Sequence, residues 1–418
     1  MYHKYLSRFS GKALFLLLIF SFFPTFIRAQ NDVSIYGYFS TRLEKQFETM
    51  TSSGKFADAT PLEWSYPFFN LMLQHQLNDN FKVYVNLNGS KAENLDLRNF
   101  WGEYSFNNYL TVRLGKIYRK FGLYNEILDA VPTYYGIEPP ELFDTDHLMI
   151  SRTTTLMAYG KLDIGEGNFN YSATTDNGEG GALKNSVPVG LDFNYKFGSG
   201  NYTIGTTAYT SGGNAVSDVA VGEGSPKCGV LPWMSADHFS VLGGYLELNF
   251  NNFLFQAEYW QSEHNAQRDP ASVVVLVQNA GLTDNQLERF LIDPDEEPLS
   301  VTESDVIVPA KFKIKTWYFR TGYSFNTGIG EIAPYIQWDW YSNPETIEDK
   351  TYGGDEEAGS ADDGVFNKST IGVVYRPITE VAVKLDQSFH FYKGNDRAND
   401  QKVYYPEIRF DVSYIFGY

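Results

Sequence analysis

The 418-residue chain is 43% hydrophobic and 17% aromatic, with 30 Tyr, 32 Phe and 7 Trp, yet its mean hydropathy is negative and 51 Asp and Glu face 33 Lys and Arg, a net charge of −18. Such acidity argues against nucleic acid as a partner. The one cysteine, Cys228, excludes an internal disulfide and, far from the N-terminus, gives no lipid anchor.

The chain opens with His3, Lys4, Arg8 and Lys12 ahead of an apolar run from Ala13 to Phe23, and a small residue, Ala29, precedes Gln30 and polar sequence. This order predicts a cleaved secretory signal peptide over residues 1–29. Its apolar core, about 11 residues, is shorter than the roughly 18 to 20 that a spanning helix needs. Removing it takes away four basic residues and no acidic one, so the remaining chain is more acidic still. No later segment is apolar enough to cross a bilayer as a helix, so residues 30–418 are expected to form a single domain that spans as strands or not at all.

Alternating apolar and polar residues, broken at turn residues, predict strands over 33–46, 64–77, 81–91, 98–106, 110–121, 149–164, 168–176 and 187–197. The second half adds 202–211, 237–250, 253–264, 311–325, 331–341, 365–376, 380–393 and 403–418, sixteen in all. Tight links such as Asn107-Asn108, Gly165-Glu166-Gly167 and Asn251-Asn252 alternate with connections that are mostly longer. One end of the structure then carries turns and the other carries loops, with both termini on the turn side. The fold class expected is all-β, a 16-stranded antiparallel transmembrane β-barrel with short periplasmic turns and long extracellular loops.

The last strand shows the pattern most cleanly. Pro406, Ile408, Phe410, Val412, Tyr414, Phe416 and Tyr418 share one face, and Glu407, Arg409, Asp411 and Ser413 share the other. The same reasoning turns Lys82, Tyr84, Asn86 and Asn88 inward, then Thr111 and Arg113, then Lys384, Asp386, Ser388 and His390. An interior of this kind is wet, and sixteen strands enclose a lumen too wide for side chains to fill.

The connection after the fifth strand, residues 122–148, is long and stiffened by Pro132, Pro139 and Pro140. Loops of this length without structure of their own are usually functional or disordered. Sixteen strands with a long third extracellular loop resemble the porins of Gram-negative outer membranes, and more distantly the phosphate-selective O/P-like branch, although that branch's dense lumenal arginine set is not evident. The resemblance implies that the loop folds into the barrel as a constriction. Its acidic residues Asp129, Glu138, Glu141, Asp144 and Asp146 would then face the basic wall candidates Arg113, Lys116, Arg119, Lys120 and Arg152. It further implies an outer-membrane location, contact with lipid and lipopolysaccharide, insertion by the barrel-assembly machinery through the terminal strand, and a homotrimer.

Lys311, Lys313 and Lys315 alternate with Phe312 and Ile314. They form either a lysine track along the pore wall, with Phe312 and Ile314 toward lipid, or a basic rim at the extracellular end. The acidic clusters at 293–297 and 355–363 do not fit a calcium-loop spacing and read as solvated loops. Trp64, Trp101, Trp260, Trp317, Trp338 and Trp340 are expected in interfacial girdles. No His-Glu-x-x-His or Gly-x-Ser-x-Gly motif occurs, and neither a metal nor a cofactor is expected. The function expected is passive diffusion of small hydrophilic solutes or ions, without enzymatic chemistry. A closed barrel serving as adhesin, structural protein or enzyme, and a channel for hydrophobic solutes, are the open alternatives.

Overall fold

The computed structural model describes most residues between Val33 and Gly417; residues 1–32, the segments 141–151, 177–186, 212–232, 346–363 and 394–401, and some shorter stretches lie outside the described residues. The expected signal peptide falls in the first of these, as Cys228 falls in another.

Sixteen long strands among the described residues make the wall. They are β1 (Val33–Gln46), β2 (Phe68–Gln76), β3 (Phe81–Lys91), β4 (Asn94–Asn107), β5 (Leu110–Tyr118), β6 (Arg152–Ile164), β7 (Gly167–Asp176) and β8 (Val189–Phe197). The second half consists of β9 (Tyr202–Thr210), β10 (Met234–Phe250), β11 (Phe253–Arg268), β12 (Pro309–Tyr323), β13 (Gly330–Asn343), β14 (Gly364–Ile378), β15 (Val381–Lys393) and β16 (Lys402–Phe416). Each pairs antiparallel with the next, and β16 closes on β1 in continuous register from Gly37 opposite Phe416 to Gln46 opposite Glu407. Closure leaves no long unpaired edge, which is what lets a sheet sit in hydrocarbon.

The tight links gather at one end. Between β10 and β11 both Asn251 and Asn252 have positive φ, 47° and 69°, the mirror-image turn that matches the twist of a hairpin. The predicted 64–77 strand begins instead at Phe68, because Glu63–Trp64 pairs separately with β1. The predicted 110–121 strand stops at Tyr118, beyond Gly115 at φ +150° and before Gly122 at φ +63°, where the chain leaves the wall.

Inside, β15 and β16 carry Lys384, Asp386, Ser388, His390, Glu407, Arg409, Asp411 and Ser413 buried toward the lumen, as the alternation predicts. The β10 to β12 sector differs at its loop end. There the inward residues Phe239, Val241, Ala266, Phe312 and Ile314 are apolar, and they form one buried cluster with Val273, Leu276 and Val277 of helix α1 (Pro270–Asn279) and Leu287 and Phe290 of helix α2 (Asp284–Phe290). The long connection between β11 and β12 therefore folds inward and packs this sector dry, at roughly 1.5–3 kcal/mol for each large side chain buried. Asp269 caps α1 by accepting the Ser272 amide at 3.0 Å.

This packing corrects the phase expected for Lys311, Lys313 and Lys315 as a pore track. All three are exposed on the outer surface, and Phe312 and Ile314 point inward against the helices. Trp101 and Trp260 also leave the expected girdle. Trp101 stacks on Tyr84 inside the lumen at 5.0 Å, and Trp260 is fully buried. Trp64 and Trp338 are exposed on the outside, and Trp317 and Trp340 stack on each other at 6.3 Å on that same face.

Candidate functional site

The connection after β5 crosses the lumen. Phe121 stacks on Trp260 of β11 at 4.1 Å, six strands away around the wall. The Leu123 amide donates to Glu258 at 3.0 Å, and the Tyr124 hydroxyl donates to Gln256 while accepting from Arg320 of β12. Burial pushes the Tyr124 phenol up to about 12, with Arg320 opposing the rise, so the hydroxyl keeps its proton.

The segment from Val131 to Pro140 then runs along the far wall. Lys384 of β15 donates to the Tyr134 and Gly136 carbonyls at 2.9 and 2.7 Å, and Asp386 accepts the Ile137 amide at 3.3 Å. Gly136 has φ +86°, and a Cβ there would sit 2.9 Å from an Arg320 nitrogen, so both its conformation and its neighbour call for glycine.

Glu138 is the anchor. One carboxylate oxygen meets Arg42 of β1 at 2.8 Å; the other meets Lys368 of β14 at 3.0 Å and Arg409 of β16 at 2.6 Å. Burial alone would raise this carboxyl, but Arg409, Lys368 and Arg42 hold it well below the usual carboxylate range. Three strands of the wall thus converge on one loop side chain.

The opposite sector stays open. A chamber of about 780 Å³ lies between the loop and the inner face running from β4 to β10, with Lys120, Glu126, Lys161, Asp192, Asn194 and Lys196 among its lining. Beside it a narrower space of about 140 Å³ is bounded by Tyr84, Trp101, Arg113 and Glu126. Arg113 lies 4.0 Å over the Trp101 ring and pairs with Glu103 at 2.6 Å, and Lys82 meets the same Glu103 at 3.0 Å. Lys120 pairs with Glu126 at 3.3 Å. Basic wall and acidic loop face each other here, through a loop residue, Glu126, that charge clustering in the sequence does not single out.

Of the other expected loop acids, Asp129, Glu141, Asp144 and Asp146 lie outside the described residues, as does Arg119. Arg152 pairs with Tyr118 in the β5–β6 ladder, and its side chain is outside the description. Lys116 lies two residues beyond exposed Leu114 and opposite exposed Phe100, on the outer face, and is not a lumenal cation; the ladder runs through Gly115 without a slip, so Lys116 keeps the outward parity of Leu114. The cations that hold the loop, Arg42, Arg320, Lys368, Lys384 and Arg409, come from strands remote in sequence, so proximity along the chain could not find them.

A second polar group lies apart from the loop. Ser262 Oγ is 2.7 Å from His264 Nε2, and His264 Nδ1 is 2.6 Å from Asp237. The order is that of a hydrolytic triad, but Ser262 is wholly buried and the imidazole is sandwiched between Phe239 at 5.2 Å and Phe312 at 4.5 Å.

No protein-family model and no curated protein sequence matches the chain. Solved structures do. The anion-selective porin of Comamonas acidovorans aligns at TM-score 0.53 and 12% identity, covering 93% of this chain and 100% of its own. The fold is that of the outer-membrane porins. The outer-membrane channel DcaP of Acinetobacter baumannii aligns at TM-score 0.51 and 10% identity over 93% of this chain and 98% of its own. OmpF of Salmonella typhi, solved in complex with daunomycin, gives 0.51 and 13% over 92% and 98%. At such identities the porin likeness is one of architecture, and it does not single out the phosphate-selective branch.

Proposed function

We propose that this chain is an outer-membrane porin, a water-filled channel through which small hydrophilic solutes or ions diffuse down their gradients. The observation that carries the reading is the β5–β6 connection laid across the lumen and tied to the far wall by Glu138, with a polar chamber left open on the near side. Solutes pass between the loop and the inner face of β3 to β10, where Arg113, Lys120 and Glu126 set a transverse field and the Tyr84–Trp101 stack sets the width.

The loop end is then extracellular and the turn end periplasmic, and the chain is read as a passive channel without covalent chemistry. Supporting this, the Ser262–His264–Asp237 group is sealed under aromatic rings, where its hydrogen bonds brace the wall and no acyl group reaches the hydroxyl.

The test is planar-bilayer recording of the folded protein across a potassium chloride gradient, beside a variant lacking residues 123–140. The wild type is expected to conduct in discrete steps and the variant to conduct more. The sign of the reversal potential reports which ion the Arg113–Glu126 passage favours. Absence of conductance from both proteins would overturn the reading in favour of a closed barrel.

A further inference from the structure

We propose that the inner wall of β2 to β4 holds a dehydrated monovalent cation, of the potassium or sodium class, among four asparagine carboxamides. Alternation places Asn70 of β2, Asn86 and Asn88 of β3 and Asn99 of β4 on the lumenal side, the side of the Tyr84–Trp101 stack. The ladder sets Asn70 directly opposite Asn88, and Asn86 directly opposite Asn99, so the four amides tile one patch of wall. Opposed side chains in such a ladder start about 4.5–5.5 Å apart, within joint reach of one small ligand.

All four are buried although they face a polar interior, with exposures of 0% for Asn70 and Asn88, 1% for Asn86 and 6% for Asn99. Their hydrogen bonding is lopsided. All four Oδ1 atoms are buried without a hydrogen-bond partner among the described residues, and of the four Nδ2 atoms only that of Asn88 is so placed. Asn70 donates its Nδ2 to the Tyr38 hydroxyl at 2.8 Å, which turns its oxygen away from that hydroxyl. Four acceptors therefore face one donor group. A buried carbonyl oxygen left without a partner costs about 1–3 kcal/mol, and a single water brings only two hydrogens, whereas one cation satisfies all four oxygens. The oxygens also decide the charge. Neutral carbonyl groups replace the hydration shell of a monovalent ion, while calcium sites draw on carboxylates, and the described residues hold no cluster of three Asp, Glu, His or Cys. Lys82 of β3 and Arg113 of β5, the cations toward the turn end of this wall, both pair with Glu103 and leave no surplus charge to repel an ion. Asp96, cross-strand from Asn88, adds a negative charge at the loop-end side. Asn99 borders the narrow space of about 140 Å³ beside Glu126, which gives an ion its way in.

The assay is anomalous diffraction from crystals of the full-length folded protein, grown in choline chloride and soaked in thallium(I), a potassium-sized cation with a strong anomalous signal. A peak is expected among the four amide oxygens, displaced by excess potassium but not by excess choline. The double variant Asn86→Leu/Asn88→Leu should abolish it. The variant Asn88→Asp adds a negative charge and should take up thallium at about tenfold lower concentration, a gain that a folding defect does not imitate. In solution, the wild type should melt at a higher temperature in potassium chloride than in choline chloride of equal ionic strength, and the double variant at the same temperature in both. Absence of the peak, its displacement by choline, its persistence in the double variant, or equal melting of the wild type in the two salts would overturn the proposal and leave ordered water as the partner of these amides.

Discussion

At the residue scale, one carboxylate organises the loop. Glu138→Gln removes the negative charge on which Arg42, Lys368 and Arg409 converge and leaves three cations together, two of them almost fully buried. Breaking a buried ionic cluster by removing one partner costs about 3–5 kcal/mol. The variant is expected to hold its barrel but lose the loop's attachment, read as faster proteolysis within residues 123–140 and as noisier, larger conductance; protease resistance equal to wild type would mean the anchor is dispensable. The pH dependence has a definite sign. Arg409, Lys368 and Arg42 depress the Glu138 carboxyl against the upward pull of burial, so its contribution is complete above the ordinary carboxylate value of 4.5 and is lost as pH falls through the lower folded value. Wild-type conductance should therefore be level from neutrality down to about pH 4.5 and rise in stronger acid, with Glu138→Gln already raised and flat across that range. Glu138 was legible in the sequence as a loop acid. Its partners were not, because charge clusters along the chain reveal neighbours in sequence and these come from the first, fourteenth and sixteenth strands.

At the scale of single elements, β12 shows both what alternation can tell and where it misleads. Lys311, Lys313 and Lys315 share parity with Trp317 and Phe319, so following the strand downward places the lysines on the aromatic outer face, as the structure does. The contrary expectation assumed a lumen that is polar at every height. That assumption fails where α1 and α2 fold in, since Phe312 and Ile314 find an apolar partner there in place of water. The Ser262–His264–Asp237 group belongs to the same packed sector and was invisible to motif reading, because the contacts join a two-residue spacing on β11 to a residue on β10. Held under Phe239 and Phe312, it should behave as a brace. His264→Ala leaves Ser262 and Asp237 without this partner in a buried site and should destabilise the barrel by about 1–3 kcal/mol in urea unfolding. Ser262 in the wild type should stay unlabelled by a fluorophosphonate that reacts with accessible serine nucleophiles, and stoichiometric labelling there would make the group catalytic.

At the scale of the whole molecule, the strand number and the two-ended character followed from alternation and turn chemistry together, because a strand with one apolar and one polar face must alternate and tight hairpins favour residues such as Asn251 and Asn252. Closure could not be read that way. It depends on β1 meeting β16 across the full length of the chain, in a register fixed by inward pairs such as Ser40 donating to Asp411 and by the outward row of Phe39, Tyr414 and Phe416. The terminal strand is therefore the piece whose loss the fold tolerates least. Deleting residues 402–418 would expose the ladder edges of both β1 and β15, and in hydrocarbon each unsatisfied backbone group costs several kcal/mol. It would also strip Glu138 of Arg409, so that the wall and the loop fail together. The truncated chain is expected to give no compact species resistant to detergent and heat on a gel, and no channel, whereas the loop deletion keeps both. A truncated protein that still migrated as a closed barrel would show that β15 can close directly on β1, and that the pairing of β1 with β16 does not by itself decide the fold.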